Sequence, residues 1–326
     1  MNYNNLLGSK LAKYFNKKYG IITYSGTLAI EVALKSLRLK RKSKVLISSN
    51  VCYSIINTVL KLGLVPVIKT PNNGLFLTND DIDVVIDKEI IDCILLVHQF
   101  GILNNISKRK YKKLNIKIIE DVAQAWNLKD NNGINNIGID SDIVVTSFGS
   151  TKPISYGIGG GLFFDNEKIF KEIDFCDNES REKQGIILSY AYPLCKEIKL
   201  DYLLEKANEI VDEQRLCARE YSNVLLNQKT IKYINYEQDS GNVWHRFPMW
   251  IENQKTFEKI KKILEKSTLE FQFEHDVKLT DLPMCQKCIK YNENTHYYFI
   301  LVRTRNVNIE NQVKNLKKLI DLLKND

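Results

Sequence analysis

Three short segments of this 326-residue chain carry residue types that could do chemistry. The first is Tyr24-Ser25-Gly26-Thr27, which runs at once into the stretch LAIEVALKSL. A short glycine-containing turn that opens a helix presents unpaired backbone N–H groups and the positive end of the helix dipole, which together suit a phosphate. The same residues also read as an ordinary N-cap, because a Ser or Thr hydroxyl accepts from the first-turn N–H groups. The second segment is Ile118-Ile119-Glu120-Asp121-Val122-Ala123-Gln124, an apolar run that ends in acid. Ligands of open α/β sheets lie just beyond the carboxyl ends of strands. Asp121 therefore stands where a carboxylate could pair with a protonated ring nitrogen, or where it could cap the next helix. The third runs from Ile143 through Ser147-Phe148-Gly149-Ser150-Thr151 to Lys152, with Gly157, Gly159, Gly160 and Gly161 following. Hydroxyls and then a single lysine are delivered into a segment whose glycines let backbone pass close to a ligand. A lysine held in a site can have its pKa depressed and attack carbonyls, whereas most lysines of so lysine-rich a chain are simply solvated. The glycines fit neither G-x-G-x-x-G opening a helix nor a P-loop ending in lysine.

Positioning these residues requires a sheet. Short β-branched or leucine-rich runs at 45–48, 65–68, 94–97, 116–120, 143–147 and 161–164 read as fully buried strands. Helical patterns such as 28–37 and 54–62 lie between them, and the alternation predicts βαβ units with a mainly parallel sheet. Beyond about residue 165 the texture changes. A long amphipathic helix over 200–226, strands over 246–251 and 297–302, and helices over 257–264 and 312–323 predict a smaller α+β domain. The expected division is a large domain over 1–205 and a small one over 206–326, joined through that long helix.

Composition sets the class. Hydrophobic residues make up 44% and charged residues 26%, the balance of a globular chain with a real core. No apolar run approaches the roughly 20 residues that cross a bilayer, and the N-terminus lacks the apolar region of a signal peptide. Seven cysteines, an odd number without a framework, fit a reducing cytoplasm. The net charge of +8 comes from 47 basic against 39 acidic residues. The lysines of 259–266 alternate with apolar residues at helical spacing, and the dense run 108–113 is short. These are solvated faces rather than a nucleic-acid footprint, and a modest positive field also suits a small anionic substrate. A zinc site needs four ligands, and the single pair Cys285 and Cys288 with distant His275 and His296 is thin support for one, so no metal is expected.

The order of the three motifs, with YSGTLAIEVAL, VLISSNVCYSIINTVLKLGLVPV, LLVHQFG, IIEDVAQAW and TSFGSTKPISYGIGGGLFF in sequence over residues 21–165, resembles the DegT/DnrJ/EryC1/StrS family of sugar aminotransferases. The resemblance implies an α/β fold-type I transferase, its mainly parallel sheet sandwiched by helices, with a smaller C-terminal α+β domain. It implies pyridoxal 5′-phosphate (PLP) as cofactor. Lys152 would bind it covalently and shuttle protons, Asp121 would pair with its pyridinium nitrogen, and Gln124 would hydrogen-bond its 3′-oxygen. Gly26, Thr27 and Ser147 would hold its phosphate. The residue over its ring falls on Cys52 or on the adjacent Tyr53. The implied reaction moves an amino group from glutamate onto a keto-sugar nucleotide in surface-glycan synthesis, in a cytoplasmic homodimer with no nucleic-acid or membrane partner. The second half departs from the pattern. The family's Asn-Tyr-Arg segment has no counterpart, residues 186–199 carry different text, and His245-Arg246-Phe247-Pro248 is only a fragment. Two rivals follow: a sugar dehydratase, whose family members replace the lysine by histidine, and a non-catalytic relative.

Overall fold

The computed structural model describes residues 3–129, 133–155, 157–169, 200–238, 241–274, 279–291 and 296–324. The first half contains α1 (Tyr3–Tyr14), β1 (Tyr19–Thr23), α2 (Gly26–Ser36), β2 (Lys44–Ser48), α3 (Tyr53–Lys61), β3 (Val65–Lys69), α4 (Asn79–Ile86), β4 (Cys93–Val97), α5 (Lys108–Lys113), β5 (Lys117–Asp121), β6 (Ile143–Ser147) and β7 (Gly160–Phe164). The second half contains α6 (Leu200–Leu225), β8 (Lys232–Tyr233), β9 (Phe247–Ile251), α7 (Gln254–Leu264), β10 (Phe271–Glu274), β11 (Ile289–Tyr291), β12 (Tyr298–Val302) and α8 (Ile309–Lys324). The Ile186–Lys199 region lies outside the described residues.

Each strand read from sequence is present, shifted by a residue at some ends. Both faces of these strands are covered, which is why they read as continuous apolar runs. Val45 and Ile47 of β2 pack with residues of α2 and α3, while Leu46 between them packs on the opposite side with Ile82 and Val85 of α4. The sheet has eight strands in the order β1-β7-β6-β5-β4-β2-β3-β11. It is parallel from β6 through β11, and β7 runs antiparallel to both β6 and β1. Four strands among the described residues, β1, β8, β10 and β11, were not anticipated. The second half returns to the large sheet through β11, which pairs Ile289 with Val67 of β3.

The smaller antiparallel sheet, β10-β12-β9-β8, is backed by helices. Its core joins Phe247, Met249, Phe299 and Leu301 to Phe257 and Ile260 of α7, Leu316 and Leu319 of α8, and Tyr221 and Leu225 of α6. No described helix is long and apolar enough to cross a membrane.

Candidate active site

Strand register brings the three motifs together. Across the sheet Val97 pairs with Asp121 and Asp121 with Val145, so the carboxylate sits at the carboxyl edge of the parallel strands. In the neighbouring ladder Thr23 pairs with Gly160, and Gly160 with Ser147. The Ser25 turn and the Ser147 strand end are thereby held on either side of one glycine. An added Cβ at Gly160 would lie 2.5 Å from the Gly26 nitrogen and the Ser25 carbonyl. Only glycine lets β7 pass the start of α2. Gly159, with φ of +110°, turns the chain into that passage and accepts the Phe148 N–H. Gly160 therefore permits a backbone-to-backbone approach.

Ser25 is the N-cap of α2, its Oγ accepting the Leu28 N–H at 3.2 Å. That accounts for one first-turn donor. A Cβ at Gly26 would lie 2.8 Å from the Ser147 Cβ, so the turn and the strand end are in direct contact. Gly26, Thr27, Ser147, Asp121, Gln124, Lys152 and Cys52 line a single cavity of about 240 Å³. Tyr53 does not line it; it is 61% exposed at the first residue of α3. Cys52 caps that helix, and successive residues at a helix start point in different directions.

The polar groups of the cavity are oriented by their neighbours. Asp121 is 7% exposed, and Ala123 N–H donates to its Oδ1 at 2.9 Å. Burial raises its pKa above the ordinary 3.8, against the pull of that N–H and of the Lys152 charge. Such a carboxylate is poised to take a cationic partner. The Gln124 side-chain oxygen accepts the Phe100 N–H at 2.6 Å, from a residue held at φ +60°. With its oxygen so occupied, the Gln124 amide offers its NH₂ as donor.

Beneath Asp121 lies a network whose Glu120 and Lys108 were given no role from the sequence. His98, also on the cavity wall, accepts the Asn104 N–H at Nδ1, so its ring hydrogen is on Nε2 and faces Glu120 at 3.0 Å. The other Glu120 oxygen accepts from Lys108 Nζ at 3.0 Å and from the Gly138 N–H at 2.9 Å. Burial alone would raise the Glu120 carboxyl, but the His98 hydrogen bond and the Lys108 charge hold it down at about 2. A depressed carboxylate stabilises the fold above its ordinary 4.5, and that contribution is lost as pH falls toward about 2. Glu120→Gln is expected to cost about 3 kcal/mol at pH 7. Denaturant unfolding at pH 7 and pH 3 checks this, with the gap to the wild type narrowing at the lower pH.

Away from this cavity, Cys285 is buried and Cys288 half-buried, and burial followed by its neighbour Cys285 pushes the Cys288 thiol up to about 12. So protonated a thiol is a poor nucleophile or ligand.

With this geometry in place, the comparisons agree in direction. The model of the DegT/DnrJ/EryC1/StrS aminotransferase family matches residues 2–299. A Bacillus subtilis protein, 3-oxo-glucose-6-phosphate:glutamate aminotransferase, is 25% identical over 85% of this chain, and the match spans 63% of that protein's own length. GDP-perosamine synthase of Escherichia coli O157:H7 is 22% identical over 76% of this chain and 68% of its own. Among solved structures, NtdA of Bacillus subtilis with bound cofactor PMP superposes with a TM-score of 0.77 at 21% identity, covering 98% of this chain and 78% of that one. An Escherichia coli GDP-4-keto-6-deoxy-D-mannose-3-dehydratase with hydrated PLP superposes at 0.76 with 15% identity, covering 98% of this chain and 92% of that one. At such identities the superpositions establish the fold, that of fold-type I.

Proposed function

Because this chain belongs to the DegT/DnrJ/EryC1/StrS aminotransferase family, we propose that it is a PLP-dependent aminotransferase carrying an amino group from glutamate to the keto carbon of a nucleotide-linked sugar, for surface-glycan synthesis. The observation that carries the reading is one cavity lined by a lysine, a buried carboxylate, a glutamine and a helix-opening Ser-Gly-Thr turn. The donor set suits the cofactor group by group. The α2 N-terminus with Thr27 and Ser147 takes a phosphate, Asp121 a ring cation, and the Gln124 NH₂ a phenolic oxygen. Bound PLP supplies an electron sink for a carbanion next to nitrogen.

The chain's own residues do the rest. Lys152 Nζ would hold the cofactor, and its amine can take up and return a proton beside it as a general base and acid. Asp121 keeps the ring nitrogen protonated, and its burial strengthens that pairing. Gln124 fixes the ring plane through its link to Phe100. Cys52, which lines the cavity where Tyr53 does not, would be the residue against the ring. The lysine at 152 favours amino transfer over dehydration.

Support for glutamate comes from the name of the Bacillus subtilis relative, and support for a nucleotide-linked acceptor from GDP-perosamine synthase. We assign the protein to the cytoplasm as a homodimer of two-domain subunits, divided at residues 205 and 206. Incubation with ¹⁵N-glutamate and a panel of keto-sugar nucleotides and keto-sugar phosphates, read by mass spectrometry, tests the reading. One labelled amino-sugar nucleotide is the expected product. Labelling confined to a sugar phosphate, or absent throughout, would overturn the nucleotide-linked assignment.

A further inference from the structure

Three consecutive residues just past the end of β4 take three directions. His98 faces Glu120, and its Nδ1 accepts the Asn104 N–H at 3.1 Å. Phe100, at φ +60°, donates its N–H to Gln124 and sets its ring against Phe299 of the smaller sheet, with ring centroids 5.8 Å apart. Between them Gln99 opens a short turn, its carbonyl accepting the Ile102 N–H at 3.0 Å, and it lines the cavity shared by Lys152 and Asp121. Gln99 is 9% exposed, and among the described residues nothing hydrogen-bonds its side-chain amide.

Buried polar groups are nearly always hydrogen-bonded, so an amide left open on a cavity wall is a place for a ligand group. The proposed chemistry already gives each polar group of the cofactor its holder, and Gln99 is not among them. It also uses both Asp121 and Lys152, the only residues lining this cavity that carry a formal charge. Ser54, near Cys52 on the wall, adds a hydroxyl that donates to the Cys52 sulfur at 3.1 Å. What remains for a substrate is therefore neutral. An amide donates through its NH₂ and accepts through its carbonyl. A hydroxyl, which also does both, is its complement, whereas a phosphate or carboxylate would leave the carbonyl unpaired.

We propose that Gln99 is a specificity-determining residue, whose amide binds a hydroxyl of the acceptor sugar and selects hydroxylated keto-sugars over deoxy ones. The inference rests on the reading of this cavity as that of a sugar aminotransferase, and it names the feature of the acceptor that is recognised.

The test uses the PLP-loaded full chain as wild type, Gln99→Met and Gln99→Leu. The acceptors are a GDP-linked 4-keto-6-deoxyhexose and a 3-keto-hexose 6-phosphate, each paired with its analogue lacking a hydroxyl beside the keto carbon. Transfer of ¹⁵N from glutamate gives kcat/KM for each. The wild type should prefer the hydroxylated member of at least one pair by about 10- to 100-fold, because the deoxy analogue leaves a buried polar group unpaired. Both variants should bring that ratio to within about threefold of unity, through a higher KM for the hydroxylated acceptor. A merely structural role would slow both members together and leave the ratio where it was, which overturns the proposal. Equal use of both members by the wild type, transfer to neither hydroxylated acceptor, or a variant whose own cofactor absorbance titrates differently, overturns it as well. Failure of the wild-type cofactor absorbance to respond to saturating glutamate would instead overturn the aminotransferase reading, before any acceptor is compared.

Discussion

Lys152→Ala is expected to lower kcat for amino transfer by at least about 10³-fold, since it removes both the covalent anchor and the proton carrier. Circular dichroism and the unfolding midpoint should stay close to wild type, because the side chain is only half-buried. The buried Lys17 and Lys69 and the half-buried Lys108 cannot make the loss good. Lys17, Lys69 and Lys108 are each held against a carboxylate, at 3.0 Å from Asp165, 2.6 Å from Asp81 and 3.0 Å from Glu120 respectively. None of the three lines the cavity that Lys152 shares with Asp121. Initial rates of ¹⁵N transfer measure the effect, and a variant within tenfold of wild type would rule out Lys152 as the reacting group.

Asp121→Asn should have opposite effects on activity and on stability. The neutral amide cannot hold a ring cation, and breaking a buried ion pair costs about 3–5 kcal/mol, so cofactor retention and kcat together should fall by about 10²- to 10³-fold. The cofactor-free protein should become more stable. Burial raises the Asp121 pKa in the fold, so between its ordinary 3.8 and the raised value the folded chain binds more protons than the unfolded one. Stability is then greatest below that window and is lost as pH rises through it. At pH 7 the wild type carries the full cost of a buried charge and the asparagine variant does not, while Oδ1 can still accept the Ala123 N–H. Thermal melts of the two cofactor-free proteins at pH 7 and pH 4 check the sign: the variant melts higher at pH 7, and the difference shrinks at pH 4. A variant that melts lower at pH 7 would contradict the account of Asp121 as a carboxylate whose burial is only partly compensated.

What could be read in advance follows from the range of the interactions involved. Asp121, Ser147 and Lys152 were legible because each sits at or just after a strand end, and strand ends are marked by local apolar runs. The Ser25 turn was legible as a helix start, and Ser25 is indeed the N-cap. Glu120 was passed over although it adjoins Asp121, because its partners, His98, Lys108 and Gly138, are assembled only by the sheet and loops. The choice between Cys52 and Tyr53 stayed open because the family's usual aromatic falls on Cys52 whereas Tyr53 is the adjacent aromatic, and the start of α3 then turns the two in different directions. Strand β11 is three residues long and pairs with a strand from the other end of the chain, so nothing local announces it. Gln99 was given no role because its place on the cavity wall depends on the turn at Phe100, which Gln124 holds from a different strand end. In the second half the amphipathic periodicity located α6, α7 and α8, and two apolar runs located β9 and β12, without indicating what these elements bring to the cavity.

The most direct measurement of the central claim is borohydride reduction of the PLP-loaded protein, followed by peptide mass spectrometry. The account predicts one pyridoxyl adduct, on the peptide containing Lys152, absent after prior exposure to saturating glutamate. An adduct on any other lysine, or no stable adduct at all, would contradict it.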